Sequence, residues 1–203
     1  MDSLSLDIPK ECGVMLLTGT SLFPHSSMDL HIIEPRYRAM LADSLEGSWM
    51  FVIANLISHE EEPYENCVAP VGTIAVINPS RTLPDGRSVL VITGIGPVSF
   101  DRWIPDSPYP KAKVSPVTRE RVDVNKADSI KSLILDYTEA QLGHVPLEVK
   151  ESVLESLGGM SSITALIDNV SHNFIGDSDL RHELMIELDD SVRASKLINA
   201  ISP

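Results

Sequence analysis

Positive charge is scarce in this chain. Sixteen Lys and Arg face 29 Asp and Glu, giving a net charge of −13 over 203 residues. The deficit is shared, with 14 acids to 8 bases through residue 118 and 15 to 8 beyond it. Affinity for phosphate backbones draws on Lys and Arg releasing counterions, so nucleic acid is a disfavoured partner. Cysteine is scarcer still: Cys12 and Cys67 lie far apart, outside the paired spacing of a structural zinc site. A disulfide between them stays open, and a reduced, cytoplasmic setting is the simpler expectation. Long apolar runs are missing too. The uncharged stretches from Cys12 to Met28 and from Gly47 to His59 are broken by small polar residues, Gly or Pro, and fall short of the roughly 20 apolar residues of a spanning helix. Asp2, Asp7, Lys10 and Glu11 do not make the basic, then apolar opening of a secretory signal. A soluble protein with no membrane partner is expected.

The patterns that carry catalysis are also lacking. No Gly is followed by Lys, which excludes a P-loop. Gly94-Ile95-Gly96-Pro97-Val98-Ser99 begins like a dinucleotide fingerprint, but Ser takes the third glycine position and no helix signal follows, so a strand turn is expected there. Around Ser21 and Ser88 glycine stands on one side only, which is no nucleophile elbow. His59-Glu60 and His182-Glu183 lack the second His of a zincin motif, and Glu60, Glu61, Glu62 and Glu65 read as a solvated loop. Neither cysteine stands beside an activating base. No cofactor, metal or catalytic residue is expected.

What is present is a change of texture near residue 118. Before it, β-branched runs alternate with Pro and Gly, giving candidate strands at Gly13 to Leu17, Trp49 to Ile57, Val71 to Asn78, Ser88 to Thr93, Pro97 to Trp103 and Lys111 to Val117. Leu83-Pro84-Asp85-Gly86-Arg87 predicts a tight turn with positive φ at Gly86, joining antiparallel strands. One helix interrupts the strands, from Glu34-Pro35 to Gly47, with Tyr37, Met40, Leu41 and Leu45 on its apolar face. Beyond Arg121 apolar residues recur at three and four. Five helices follow: one capped by Asn125, one running from about Pro146, one capped by Ser161 or Ser162, and two opened by Asp177-Ser178 and Asp189-Asp190-Ser191, with Val149 and Val192 among their inward positions. Two subdomains, 1–118 and 119–203, are expected, with an exposed connection between Val117 and Lys126.

Four segments in order, Leu22-Phe23-Pro24, Leu30 to Met40, Val71-Gly72-Thr73-Ile74-Ala75 and Leu83 to Arg87, resemble the N-terminal substrate-recognition domain of ATP-dependent Lon proteases, in the form found as stand-alone small proteins. The strand from Val89, the Gly94-containing turn and Pro108-Tyr109 continue the likeness. Leu166-Ile167, Arg181 to Leu184 and Leu188 to Arg193 are similar to the helical tail after that domain. The resemblance implies an α+β fold: an N-terminal PUA-like β pseudo-barrel with one packed helix, then a C-terminal α-helical bundle. Gly and Pro from Gly94 to Pro97 depart from the family's charged-aromatic strand ending. The ATPase and Ser-Lys protease domains of full Lon enzymes are not in this sequence.

Three functions come into question for such a chain. The first is a non-catalytic recognition module for unfolded or partly exposed protein segments, with a separate protease as a partner the resemblance allows. Its candidate contact residues are Phe23, Tyr37, Trp103 and Tyr109, beside the charged cluster of Glu34 and Arg36. The second is an RNA-binding PUA-like protein, which the charge opposes. The third is an enzyme in the barrel mouth, which no motif supports.

Overall fold

The computed structural model describes residues 7–58 and 63–203. His59 and Glu60 to Glu62 lie outside the described residues. Contacts divide the chain into two compact units. One joins the residues through Thr18 to Ser27–Val117; the other joins Gly19–Ser26 to Thr118–Pro203.

The first unit is built on β1 (Glu11–Leu17), β2 (Ser27–Ile32), α1 (Pro35–Glu46), β3 (Met50–Asn55), α2 (Tyr64–Cys67), β4 (Val71–Thr82), β5 (Ser88–Trp103) and β6 (Lys111–Pro116). The strand order is β2-β5-β4-β3-β1-β6, and β6 also pairs with β5. Strands β5, β4, β3, β1 and β6 therefore close into a ring, the pseudo-barrel, with β2 attached to the first half of β5. Pairing is antiparallel except between β1 and β3. The ring's core takes alternate residues: Cys12, Val14 and Leu16, then Met50, Val52 and Ala54, with Ile74, Val98, Ala112 and Val114. The intervening Met15, Phe51 and Ile53 are buried too, and α1 packs on β1 and β3 with Tyr37, Met40 and Leu41 buried. Burial on both faces matches the unbroken runs of small and apolar residues in β1 and β3. A Cβ on Gly13 would stand 2.5 Å from Met40 Cγ, so glycine sets how closely the helix approaches.

Several boundaries differ from expectation. Ser88 to Thr93 and Pro97 to Trp103 are one strand, and no turn forms at Gly94. The chain instead absorbs Ile95 as a bulge, since Ile74 faces Gly96 while Ala75 faces Gly94. Trp49 has φ +61° and precedes β3, which therefore starts at Met50. Strand β2 was not anticipated, although Leu30 and Ile32 alternate inward against polar neighbours. The hairpin is as expected: Gly86 has φ +80°, its N–H donates to Leu83 O at 2.9 Å, and β4 and β5 pair antiparallel around it.

The second unit holds α3 (Val124–Gln141), a 3-10 turn (Leu142–His144), α4 (Leu147–Gly158), α5 (Ile163–Phe174), α6 (Ser178–Ile186) and α7 (Asp190–Ile201). Asp123, Ser162, Asp177 and Asp189 cap α3, α5, α6 and α7 through side-chain oxygens. At α3 the cap is Asp123 rather than Asn125, whose N–H is the donor. Helix α3 packs against α4, α5 and α7. Val149 and Val192 are exposed, contrary to expectation. On α7 the inward neighbour of Val192 is Arg193, held in a buried ion-pair network. Arg193 meets Asp168 and Asp190, and Arg119 Nη1 donates to Asp168 at 2.8 Å. Asp168, Asp190 and Arg193 are fully enclosed. The segment 19–26 is held here by Arg181, which donates to Ser21 O at 2.9 Å and to the carbonyls of His172 and Ile175.

Candidate functional site

Three half-buried aromatic side chains of the barrel unit, Tyr64, Phe100 and Trp103, gather where β5 ends. On a regular strand Phe100 and Trp103 would face opposite ways, because side chains alternate. Between them β5 takes one extra residue, Asp101: Phe100 faces Val114 and Arg102 faces Lys113. This bulge puts both rings on one face, stacked at 4.9 Å and 20°. Ser115 Oγ donates to Asp101 Oδ2 at 2.7 Å and ties the bulge down. Tyr64 comes from α2 and leans on Trp103 at 4.6 Å and 45°. That single turn is fixed by the barrel edge, since Ile57 N–H donates to Cys67 O and Ala69 N–H to Asn55 O. All three rings pack on the barrel core yet remain half-buried.

Beside them opens a concavity of about 180 Å³, lined by Tyr64, Phe100 and Trp103 with Val68, Ala69 and Pro70 and with Glu65 at its edge. Among the described residues its lining side chains are mainly apolar or aromatic, and Glu65 is the one carboxylate. It fits a single large side chain, aliphatic or aromatic. No nucleophile and base converge there, and among the described residues no group of three or more His, Cys, Asp or Glu could hold a metal ion.

The other anticipated residues are dispersed. Phe23 belongs to the second unit, fully buried beside His172 and under the Arg181 guanidinium. Tyr37 is buried in the barrel unit, its hydroxyl accepting from Leu16 N–H at 3.1 Å. Tyr109 is buried as well; desolvation and its hydrogen bond to Asp43 Oδ2 (2.6 Å) push its hydroxyl up to about 12. These rings serve packing. Glu34 precedes α1 but makes no cap bond through its side chain; it pairs with Arg36 at 2.9 Å, and Arg36 lies 4.7 Å over the Tyr37 ring. Of the six residues singled out from the sequence, Trp103 alone lines the concavity. Phe100 and Tyr64 were missed. A bulge that reverses strand parity leaves no mark in the pattern, and Tyr64 follows a charged stretch with no periodicity.

The chain thus combines a small closed barrel that carries an aromatic ledge with an α-helical unit, an α+β protein. The comparisons give the family. Residues 11–202 match the ATP-dependent protease La (LON) substrate-binding domain, and the chain belongs to that family. It is 27% identical over 196 residues to the Lon protease of Cytophaga hutchinsonii, covering 95% of this chain and 24% of that protein. It is 24% identical over 174 residues to the Lon protease of Flavobacterium johnsoniae, covering 82% and 21%. The chain thus spans under a quarter of the length of these curated relatives. Among solved structures it is similar to the N-terminal domain of the Mycobacterium avium complex Lon protease, with TM-score 0.75 and 16% identity over 95% of this chain and 98% of that one. It is also similar to a Lon N-terminal domain protein from Xanthomonas campestris, with TM-score 0.63 and 16% identity over 95% and 99%. The matched family is the substrate-binding domain, not the protease or ATPase domains.

Proposed function

We propose that this chain is a non-catalytic module that holds exposed segments of other proteins, seating one apolar side chain against Tyr64, Phe100 and Trp103. The observation that carries this reading is the match of residues 11–202 to a family described as a substrate-binding domain; the bulge-built aromatic ledge supplies a contact surface. Aromatic anchors beside a pocket are the side chains whose truncation costs most at interfaces, about 2 kcal/mol or more each. A separate protease is the partner that would consume a segment held in this way.

The test uses the full chain with Trp49→Phe, which leaves Trp103 as the sole tryptophan. Titration with a reduced, carboxymethylated protein should shift Trp103 emission saturably, and the folded, disulfide-intact form of the same protein should not. Trp103→Ala should weaken binding, followed by calorimetry, at least tenfold. Binding unchanged by Trp103→Ala, or none at high micromolar concentration, rules the reading out.

A further inference from the structure

The helical unit carries a second concavity. Helices α4 and α5 each pack on α3 and far less on one another, which leaves a groove of about 420 Å³ between them. Its apolar side chains are Val153, Leu157 and Phe174; Asn169 and Asn173 line it from α5, and Ser152 and Ser156 from α4. Val149 stands one turn before Val153 on the same face of α4 and is 51% exposed, so the apolar strip runs on past the groove. A volume of this size is that of an ordinary ligand pocket, enough for two or three side chains.

Two features define what fits it. Glu148, Ser152 and Glu155 lie at i, i+4 and i+7, one stripe along the α4 edge of the groove, and both carboxylates are exposed. The one lysine of α4, Lys150, is engaged with Glu139 at 2.7 Å, so the stripe keeps its negative charge. The ammonium of Lys131 is likewise committed, to the carbonyls of Gly158 and Met160 at the far end of α4. On the opposite wall Asn173 Nδ2 donates to Asn169 Oδ1 at 3.0 Å, which aligns two side-chain amides along α5. Asn169 keeps its amide donor and Asn173 its amide oxygen, the complementary pair that a peptide backbone presents in extended form.

We infer that the α4–α5 groove is a docking site for a basic, apolar peptide segment bound in extended form. Its aliphatic side chains enter over Val153, Leu157 and Phe174. Its Lys or Arg side chains reach Glu148 and Glu155, and its backbone lies along Asn169 and Asn173. This site is independent of the aromatic ledge and does not depend on the function proposed for it.

The probe is a fluorescein-labelled ten-residue peptide of alternating Lys and Leu, titrated against the full chain by anisotropy. Peptides of alternating Lys and Ser, and of alternating Glu and Leu, serve as controls. The Lys–Leu peptide should bind at least tenfold more tightly than either control, with affinity falling as salt rises. Glu148→Lys with Glu155→Lys should lower its affinity at least tenfold, and so should Val153→Asp. Asn169→Ala with Asn173→Ala, which removes only surface amides, should lower it about threefold without changing the melting temperature. Trp103→Ala should leave it in place. Equal binding of the Lys–Ser peptide would show attraction to net charge alone, and equal binding of the Glu–Leu peptide would show an apolar contact without charge selection. Either result overturns the inference, as does retention of affinity in the Glu148, Glu155 double variant or loss of it in Trp103→Ala.

Discussion

Replacing Asp168 by Asn should cost this protein about 3 kcal/mol, although the two side chains are nearly isosteric. Asp168 is fully buried and accepts from Arg119 Nη1 at 2.8 and 3.0 Å and from Arg193 Nη2. Arg193 Nη1 donates to Asp190 Oδ1 at 2.8 Å, and Thr164 Oγ1 donates to Asp190 Oδ2 at 2.5 Å. Two guanidiniums and two carboxylates make the cluster neutral. Burial pulls Arg119 below its ordinary value, and the Asp168 charge is the largest influence opposing that pull. Asn removes that charge and leaves a net positive cluster in a low-dielectric interior. Breaking a buried pair on one side costs about 3–5 kcal/mol, and the retained amide oxygen places Asn at the low end. At this chain length each kcal/mol lowers the melting temperature by about 2–4 °C, so a fall of about 6–12 °C is expected by circular dichroism. Adding Arg193→Met restores neutrality between Arg119 and Asp190, so the double variant should be no less stable than Asp168→Asn alone. A fall below about 3 °C for the single variant, or losses that simply add in the double, would refute the argument.

Three further outcomes follow from other parts of the fold. Gly86→Val places a β-branched residue at φ +80° with its Cβ 3.0 Å from Arg38 Nη1, and should cost about 1–3 kcal/mol in urea unfolding. Arg181→Ala removes the donors to Ser21, His172 and Ile175; hydrogen exchange should quicken within residues 19–26 before it does in the barrel strands, and uniform exchange would count against that anchor. Burial pushes the Cys12 thiol up to about 11 from 9.0. The unfolded chain therefore loses its proton first, so stability is full below pH 9 and declines between about pH 9 and 11. Cys12→Ala should flatten that limb of the pH profile, and an unchanged slope would exclude the thiol as its source.

Much of this architecture could be read before any coordinates, because local chemistry determines it. Ser162, Asp177 and Asp189 cap their helices for the reason that Ser and Asp favour such positions, and Leu83 to Arg87 turns as its Pro and Gly require. The failures share a cause in tertiary context. Gly94 and Gly96 signal a turn locally, but pairing with β4 on one side and β6 further along keeps β5 extended through them. Val192 has the right spacing for a core position, yet the interior at that point is taken up by Arg193 and its carboxylates. The candidate site was the least legible element. Trp103 was visible as an aromatic at a strand end, but its partnership with Phe100 depends on the inserted Asp101, and Tyr64 joins through α2, a turn too short to leave a periodic signature.

The membership of residues 19–26 in the helical unit has a consequence for biosynthesis. Chains emerge from the ribosome at roughly 5–20 residues per second, so Phe23 is released seconds before α5 and α6, whose His172 and Arg181 pack on its ring. During that interval the segment between β1 and β2 lacks its helical partners, although every strand of the ring, lying before residue 118, has already been synthesised. The helices then have to find a short segment across a long stretch of folded chain, a contact of high sequence separation that slows the final step. Because residues 19–26 group with residues 118–203, a cut between Val117 and Lys126 is expected to leave that segment on the barrel fragment, which limited proteolysis with mass spectrometry of the pieces would test.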